Sequence, residues 1–498
     1  MSGSLGERAK QAVLWSTGFG LFRDGLQFAV MLIMVRLLEP AAYGQFALAG
    51  SIIGFVALLS FDSFVEHTLQ ARRDADVDYQ LHFTAGGLFQ ITAFLVANGI
   101  ALVAREIPTY AEAAPLVHAM SFLFLLKWPH EIRARMLERA LDWRRLRLLQ
   151  AAGLLAVALT SILMALAGAG AYALAVPGLL MTLPFIYDLF VRTGFRPDWR
   201  FDRRRYRPAL QFGLAQLPNG LTTRLRPLLE QGLIVSMLGY ASVGFLTRAT
   251  GLATLVCQGP AHQLVTAIYP VMTKIEPGTA QYRRMSTLVI RTVVWSSIPV
   301  AALFTVLVEP VVGLIYGAQW TSVVPLLPWT MLAAALGALQ HTLLRLLLAH
   351  DQVRVCFIAN LVWLAGIAAC LVLLLQPLGL VAYLAGLCAI QAALALGLAA
   401  VLQRVGGLNA PDLWHALGAA LSAIALALVV VWPGFALLGL DKDTTLGAVL
   451  FGGLVALLYL GALRTLFPRQ LNELLAYLPG GRAPLRRGLA TPPPDRAG

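Results

Sequence analysis

Charged side chains are scarce in this sequence. Asp, Glu, Lys and Arg together make up 13% of its 498 residues, whereas a soluble protein has about 25%. Hydrophobic residues reach 58%, and the mean hydropathy is +0.73. Too few polar residues remain to cover the apolar surface of such a chain in water. The composition therefore excludes a water-soluble protein and predicts that lipid is the solvent.

Long polar stretches are also lacking, and apolar runs take their place. The runs match the roughly 20 residues that a helix needs to cross about 30 Å of hydrocarbon. They do not alternate over about ten residues, as the strands of a membrane barrel do. We therefore predict an all-α membrane protein with about fourteen transmembrane helices. The predicted spans are 12–36, 43–66, 81–104, 113–134, 147–168, 170–191, 209–236, 241–271, 288–308, 323–349, 355–375, 379–402, 412–435 and 444–465.

Cysteine is nearly absent, and what there is lies inside the predicted spans. The four cysteines are Cys257, Cys356, Cys370 and Cys388. Thiols in such positions pack as small apolar side chains, and the sequence has no metal-ligand spacing. It also has no G-x-x-x-x-G-K-[ST] loop for a nucleotide. We predict neither a metal site nor a cofactor.

Acidic residues are too few to balance the basic ones, which leaves a net charge of +13. The basic residues are concentrated in alternate loops, above all in 133–147 and 192–207, whereas the loops between them hold only Arg36, Arg105 and Lys442. This bias is typical of the positive-inside rule. It places both termini in the cytoplasm and makes nucleic-acid binding a poor interpretation of the charge.

An internal repeat organises the predicted spans. An offset of 200 positions aligns Val35, Leu38 and Gly44 with Val235, Leu238 and Gly244, which pairs the first hairpin with the seventh and eighth spans. Because odd spans pair with odd spans, the pattern is typical of parallel transporter repeats. We predict two six-helix lobes related by a pseudo-two-fold axis, plus two extra C-terminal helices. The predicted divisions are an N-lobe at 1–192, a basic linker at 193–208, a C-lobe at 209–402, two additional spans within 403–466, and a partly disordered cytoplasmic tail at 467–498.

Charges within the spans carry the functional information, because a charged side chain at mid-bilayer costs roughly 2.5–3.5 kcal/mol. We predict that a cationic, water-accessible cavity between the lobes is lined by Arg23, Lys127, Arg224 and Arg248. Further lumen or ion-coupling candidates are Asp24, Asp62, Gln27, Gln258 and His262. The alternative is that each charge pairs locally and only stabilises helix packing. A cationic cavity favours an anionic cargo such as a phosphate.

The motif VRLLEPAAYGQF at 35–46 resembles the R-L-L-x-P-x-x-Y-G signature of Wzx-type polysaccharide flippases. The segment RPALQFGL at 207–214 is similar to the opening of that family's second lobe. Glu66 and His67 depart from the small residues expected there. The family belongs to the multidrug/oligosaccharidyl-lipid/polysaccharide exporter superfamily.

The resemblance implies alternating access in the bacterial inner membrane. Its implied cargo is undecaprenyl-diphosphate-linked oligosaccharide, moved from the cytoplasmic to the periplasmic leaflet during O-antigen, capsule or exopolysaccharide synthesis. A polysaccharide polymerase or co-polymerase is the implied pathway partner. Two alternatives remain open. A polymerase or glycosyltransferase is disfavoured by the short loop near 309–323, and a multidrug or other antiporter of the same fold is disfavoured by the cationic spans.

Overall fold

The computed structural model describes residues 5–60, 78–198, 202–259, 265, 272 and 274–475, and their regular structure is helical throughout. Eleven helices in these ranges are long and apolar enough to cross a membrane. The prediction of an all-α membrane protein is confirmed. The long helices, in chain order, are α1 Leu5–Leu37, α2 Pro40–Val56, α3 Tyr79–Arg105, α4 Ala114–Arg139, α5 Trp143–Leu166, α6 Tyr172–Arg192, α7 203–238, α8 240–258, α9 Ala280–Val306, α10 Leu327–Ala349, α11 353–378, α12 380–404, α13 Ala410–Leu437 and α14 Thr445–Leu466.

Two glycines divide what would otherwise be very long helices. Gly239 (φ 80°) separates α7 from α8, and Gly379 (φ 79°) separates α11 from α12. Only glycine adopts this left-handed region without steric cost. Each of the two divided helices counts once among the eleven candidates, although it contains two spans. Helix α4, which matches the predicted span 113–134, is not among the eleven. The described helices are therefore consistent with the predicted fourteen spans.

Side-chain caps explain where several helices begin. Asp78 accepts a hydrogen bond from the backbone N–H of Leu81 at the start of α3, and Asp142 accepts one from Arg145 at the start of α5. Thr279 and Thr444 do the same for α9 and α14. Each cap satisfies one of the backbone donors that a helix N-terminus leaves unpaired.

The chain divides into two compact units. The first comprises Met1–Thr247, Ile315–Trp320 and Ile367–Pro377, and the second comprises Arg248–Leu314, Thr321–Gly366 and Leu378–Gly498. Helix α7 and the beginning of α8 therefore belong to the same compact unit as the N-terminal helices. The division into lobes at the linker 193–208 stays a prediction.

Within the first unit, the aligned glycines Gly44 and Gly244 mark reciprocal close contacts between α2 and α8. A Cβ atom on Gly44 would lie 1.8 Å from the carbonyl oxygen of Tyr240, and one on Gly244 would lie 1.9 Å from that of Pro40. Pro40 and Tyr240 are themselves related by the offset of 200. A contact in which each partner repeats the other's role is the signature of a local two-fold relation.

The same region holds a buried tryptophan. Trp320 is fully buried, and its indole Nε1 donates to the carbonyl oxygen of Val35 at 2.8 Å. Gln319 donates to the same oxygen at 2.9 Å. These side chains satisfy a carbonyl in the last turn of α1, where helical partners run out. The rings of Tyr43 and Phe245, from α2 and α8, pack edge-on against Trp320.

Candidate functional site

Arg23 and Asp24 lie on α1 and form an ion pair with each other. The Nη2 of Arg23 is 2.8 Å from Oδ1 of Asp24, and both side chains are about half exposed, at 46% and 58%. Gln27, one turn further along α1, is also exposed. The charge of Arg23 therefore has a local carboxylate partner. This pairing agrees with the alternative interpretation, in which each charge within a span pairs locally.

Arg224 connects α7 to α2 within the first unit. Its Nη1 donates to the carbonyl oxygen of Gly54 at 2.9 Å, and its side chain is half-buried. Gly54 lies in the last turn of α2, whose carbonyls have no helical partner and carry partial negative charge. A guanidinium has five N–H donors, so this bond uses one of them.

Lys127 and Arg248 are half-buried, the former in α4 just before Pro129 and the latter in α8. Lys127 belongs to the first compact unit together with Arg23 and Arg224, whereas Arg248 belongs to the second. That all four cations share one lumen therefore stays a prediction. Asp62 and His262 lie outside the described residues.

Gln258 is part of a polar cluster in the second unit. A Cβ atom on Gly337 would lie 2.7 Å from the amide nitrogen of Gln258 and 3.5 Å from that of Gln391, so both amides pack over this glycine of α10. Gln391 is buried on α12, and its Oε1 has no hydrogen-bond partner within the described part of the chain. Gln391 could not be predicted from the sequence, because a single glutamine in an apolar run gives no periodic signal.

A second cluster that the sequence did not predict is the group of ion pairs around Asp188. This buried carboxylate on α6 accepts from Nε of Arg133 at 2.6 Å and from Nε of Arg145 at 3.0 Å. The two arginines come from α4 and α5, so the cluster joins three helices. Both arginines belong to the basic stretch 133–147, and basic residues in such a loop indicate the orientation of the protein in the membrane, not an ion pair. A buried carboxylate with two arginine partners is a structural cross-link, because breaking one partner would leave a buried charge uncompensated.

Comparison with known proteins identifies the family. A family model described as "Polysaccharide biosynthesis protein" matches residues 33–325. The lipopolysaccharide biosynthesis protein WzxC of Escherichia coli (strain K12) is 22% identical over 72% of this chain and 73% of its own length. The succinoglycan biosynthesis transport protein ExoT of Rhizobium meliloti (strain 1021) is 21% identical, and the match spans 61% of each chain.

Solved structures show the fold. The lipid II flippase MurJ in an inward closed conformation superposes with a TM-score of 0.74 at 12% identity, over 92% of this chain and 100% of that one. An inward-facing multidrug transporter of the MATE family and MOP superfamily has a TM-score of 0.52 at 14% identity, over 77% of this chain and 94% of that one. These findings confirm the resemblance seen at 35–46. The chain is thus a multi-pass membrane protein with this fold, and it belongs to the polysaccharide biosynthesis protein family.

Proposed function

We propose that this protein is a flippase for polyprenyl-diphosphate-linked oligosaccharide in the bacterial inner membrane. The observation that carries the proposal is the fold, which matches a lipid II flippase over 92% of the chain. The names of WzxC and ExoT, which refer to lipopolysaccharide and succinoglycan biosynthesis, support a saccharide cargo. The cargo moves from the cytoplasmic to the periplasmic leaflet by alternating access, and both termini lie in the cytoplasm, as the loop charges indicate.

Arg224 is the cation best placed to take part in cargo binding. One N–H is held by the Gly54 carbonyl, which fixes the orientation of the guanidinium, while the planar group can still bind phosphate oxygens through its other donors. Lys127 and Arg248 supply further positive charge in this proposal. Together these groups offset the cost of taking a diphosphate out of water.

Arg23 enters the proposal differently, because its charge is balanced by Asp24 at 2.8 Å. A diphosphate would compete with this carboxylate for the guanidinium. We propose Asp24 and Asp62 as the candidates through which an ion gradient is coupled to transport.

The test is polysaccharide surface display in a bacterial strain that lacks its own flippase of this class. Arg224→Gln keeps a polar side chain but removes the charge, and we expect display to fall at least about tenfold, since hydrogen bonds to charged groups contribute about 1.5–3 kcal/mol. Arg224→Lys should retain part of the activity, and the exposed Arg144→Gln should retain all of it. Immunoblots of membranes verify equal protein levels.

The double variant Arg23→Ala/Arg224→Ala tests whether the cationic lumen binds the cargo. We expect it to abolish display at normal protein levels, and unchanged display would overturn the cationic-lumen proposal. Efflux of a cationic dye by the wild type would instead favour a drug antiporter of the same fold. We expect a polysaccharide polymerase or co-polymerase to consume the product in the periplasm. Because the double variant would not transport the cargo, lipid-linked repeat units should accumulate on the cytoplasmic side.

A further inference from the structure

Helices α1 and α5 border an open apolar crevice with a volume of about 370 Å³. Its main lining residues are Trp15, Phe19 and Phe22 of α1 and Arg147 and Leu148 of α5. Arg147 is the one charged residue that lines it within the described part of the chain. The crevice is therefore amphiphilic, with an aromatic wall and a single cation.

Arg147 has only neutral hydrogen-bond partners among the described residues. Its Nη1 donates to the amide oxygen of Gln150 at 2.7 Å, and its Nη2 donates to the hydroxyl of Ser16 at 3.1 Å. Its Nε is buried and meets no acceptor in the same described ranges. Arg145, two residues earlier, is instead bonded to Asp188. A buried charged donor without an acceptor is costly, so the positive charge of Arg147 is available to an anion.

Aromatic rings hold the guanidinium in place. Its central carbon lies 5.3 Å from the ring centroid of Phe19 and 5.5 Å from that of Trp143. Guanidinium groups are attracted to aromatic faces at such distances and remain able to bind phosphate in their own plane. The ring contacts therefore position Arg147 without neutralising it.

The position of the crevice along α1 and α5 indicates that it lies near the lipid headgroups. The span predicted for α1 begins at residue 12, and the candidate span of α5 begins at Trp143. Trp15, Trp143 and Arg147 thus lie within a few residues of the span ends, where tryptophan is enriched and arginine reaches towards phosphates. Basic pockets between membrane helices at this level are typical sites for anionic headgroups.

We propose that this crevice binds one anionic phospholipid. Its phosphate accepts hydrogen bonds from Arg147, and one acyl chain lies along Trp15, Phe19, Phe22 and Leu148. Among the described residues no carboxylate is hydrogen-bonded to Arg147, and Glu138, which acts on it through its charge, is itself bonded to Arg135. One such guanidinium matches the single negative charge of a phosphodiester. A diphosphate carries more charge, and Arg23, one turn beyond Phe19 on α1, is already paired with Asp24. The occupant is therefore a membrane phospholipid and not the cargo. Under the topology proposed above it belongs to the cytoplasmic leaflet.

The first experiment is native mass spectrometry of the full chain in detergent, titrated with phosphatidylglycerol or phosphatidylcholine. We expect one phosphatidylglycerol to bind about tenfold more tightly than phosphatidylcholine, because the choline ammonium of the latter offsets the negative charge of its phosphate. Arg147→Gln should abolish that preference. The matched control Arg144→Gln, an exposed arginine on the same helix, should retain it.

The second experiment needs no arginine variant. Phosphatidylglycerol with brominated acyl chains should quench the tryptophan fluorescence of the wild type more than brominated phosphatidylcholine does, and Trp15→Phe should reduce that difference. Equal affinity for the two lipids, or an equal loss in Arg147→Gln and Arg144→Gln, would overturn the proposal. Displacement of phosphatidylglycerol by equimolar undecaprenyl diphosphate, dependent on Arg147, would also overturn it and would make the crevice a cargo site. None of these results depends on flippase activity.

Discussion

At the scale of single residues, the charges of this protein differ in whether a carboxylate balances them. Arg145 is bonded to Asp188, whereas the hydrogen bonds of Arg147 within the described ranges go to the neutral groups of Ser16 and Gln150. Both arginines lie in one basic stretch and look alike in the sequence. The difference matters because a paired charge stabilises packing, whereas an unbalanced one attracts an anionic ligand.

Glu473 is a residue-scale pairing outside the predicted spans. It lies on the short helix α15, Pro468–Leu475, and contacts Arg284 at 2.7 Å and Arg291 at 3.0 Å, both on α9. Partial burial by itself would raise the pKa of Glu473, but the hydrogen bonds and charges of the two arginines hold its pKa below the usual range.

A lowered pKa predicts the pH dependence of this docking. The stabilisation is present above the usual glutamate pKa of about 4.3 and is lost as the pH falls through the lower pKa of the folded state. Glu473→Gln should weaken docking of α15 at neutral pH by about 1 kcal/mol and should remove its acid sensitivity. Hydrogen exchange of residues 468–475 measures both effects. Arg469→Gln, an exposed change on α15, should have neither effect, and an identical response of the two variants would contradict the assignment.

At the scale of helices, the contact between α2 and α8 depends on two glycines. Glycine within a helix is less favourable than alanine by about 1 kcal/mol, so its presence at 44 and 244 needs a compensating contact. The approach of each glycine to a backbone carbonyl of the other helix supplies that contact. Backbone atoms cannot move aside as a flexible side chain can, so even a methyl group would force the helices apart.

We therefore predict that Gly44→Ala and Gly244→Ala each destabilise the protein by about 1–3 kcal/mol through overpacking. Thermal unfolding in detergent measures the effect. Gly99→Ala on α3 is the control, because a Cβ there meets no atom within 4 Å, and it should be neutral or slightly stabilising. The double variant should cost less than the sum of the two single ones, because both act at one junction. Full additivity would mean that the two glycines do not share a contact.

At the scale of the whole molecule, the proposed orientation can be tested with the protein's own scarcity of thiols. The four cysteines are all buried and can be replaced with alanine to give a background without reactive groups. In that background, Glu106→Cys lies in an exposed loop predicted to be periplasmic, and Arg404→Cys lies at an exposed helix end predicted to be cytoplasmic.

A membrane-impermeant maleimide should label Glu106→Cys in cells whose inner membrane is intact. Arg404→Cys should be labelled only after that membrane is permeabilised. This result follows from the distribution of lysine and arginine between alternate loops. The reverse pattern would invert the proposed topology, and the cytoplasmic leaflet of the lipid crevice with it, without affecting the fold.

Part of the candidate site could be predicted from the sequence and part could not. The charged residues Arg23, Arg224 and Arg248 stand out because their cost in an apolar span is a local property. The bond from Arg224 to Gly54 joins residues 170 positions apart, and no local pattern indicates it. Arg147 could not be singled out from the sequence, because a basic residue near the end of a span is common.

The amino-acid sequence by itself determined the solvent, the type of element and most span bounds, because hydropathy and helix length are local quantities that add along the chain. It also predicted the repeat, since the aligned residues could be compared directly. Only the tertiary structure decided which cations are neutralised, where Gly44 and Gly244 meet the opposite backbone, and where a crevice remains beside Arg147. Those outcomes depend on distances between helices that are remote in sequence, and charge pairing and close packing act only over a few ångströms.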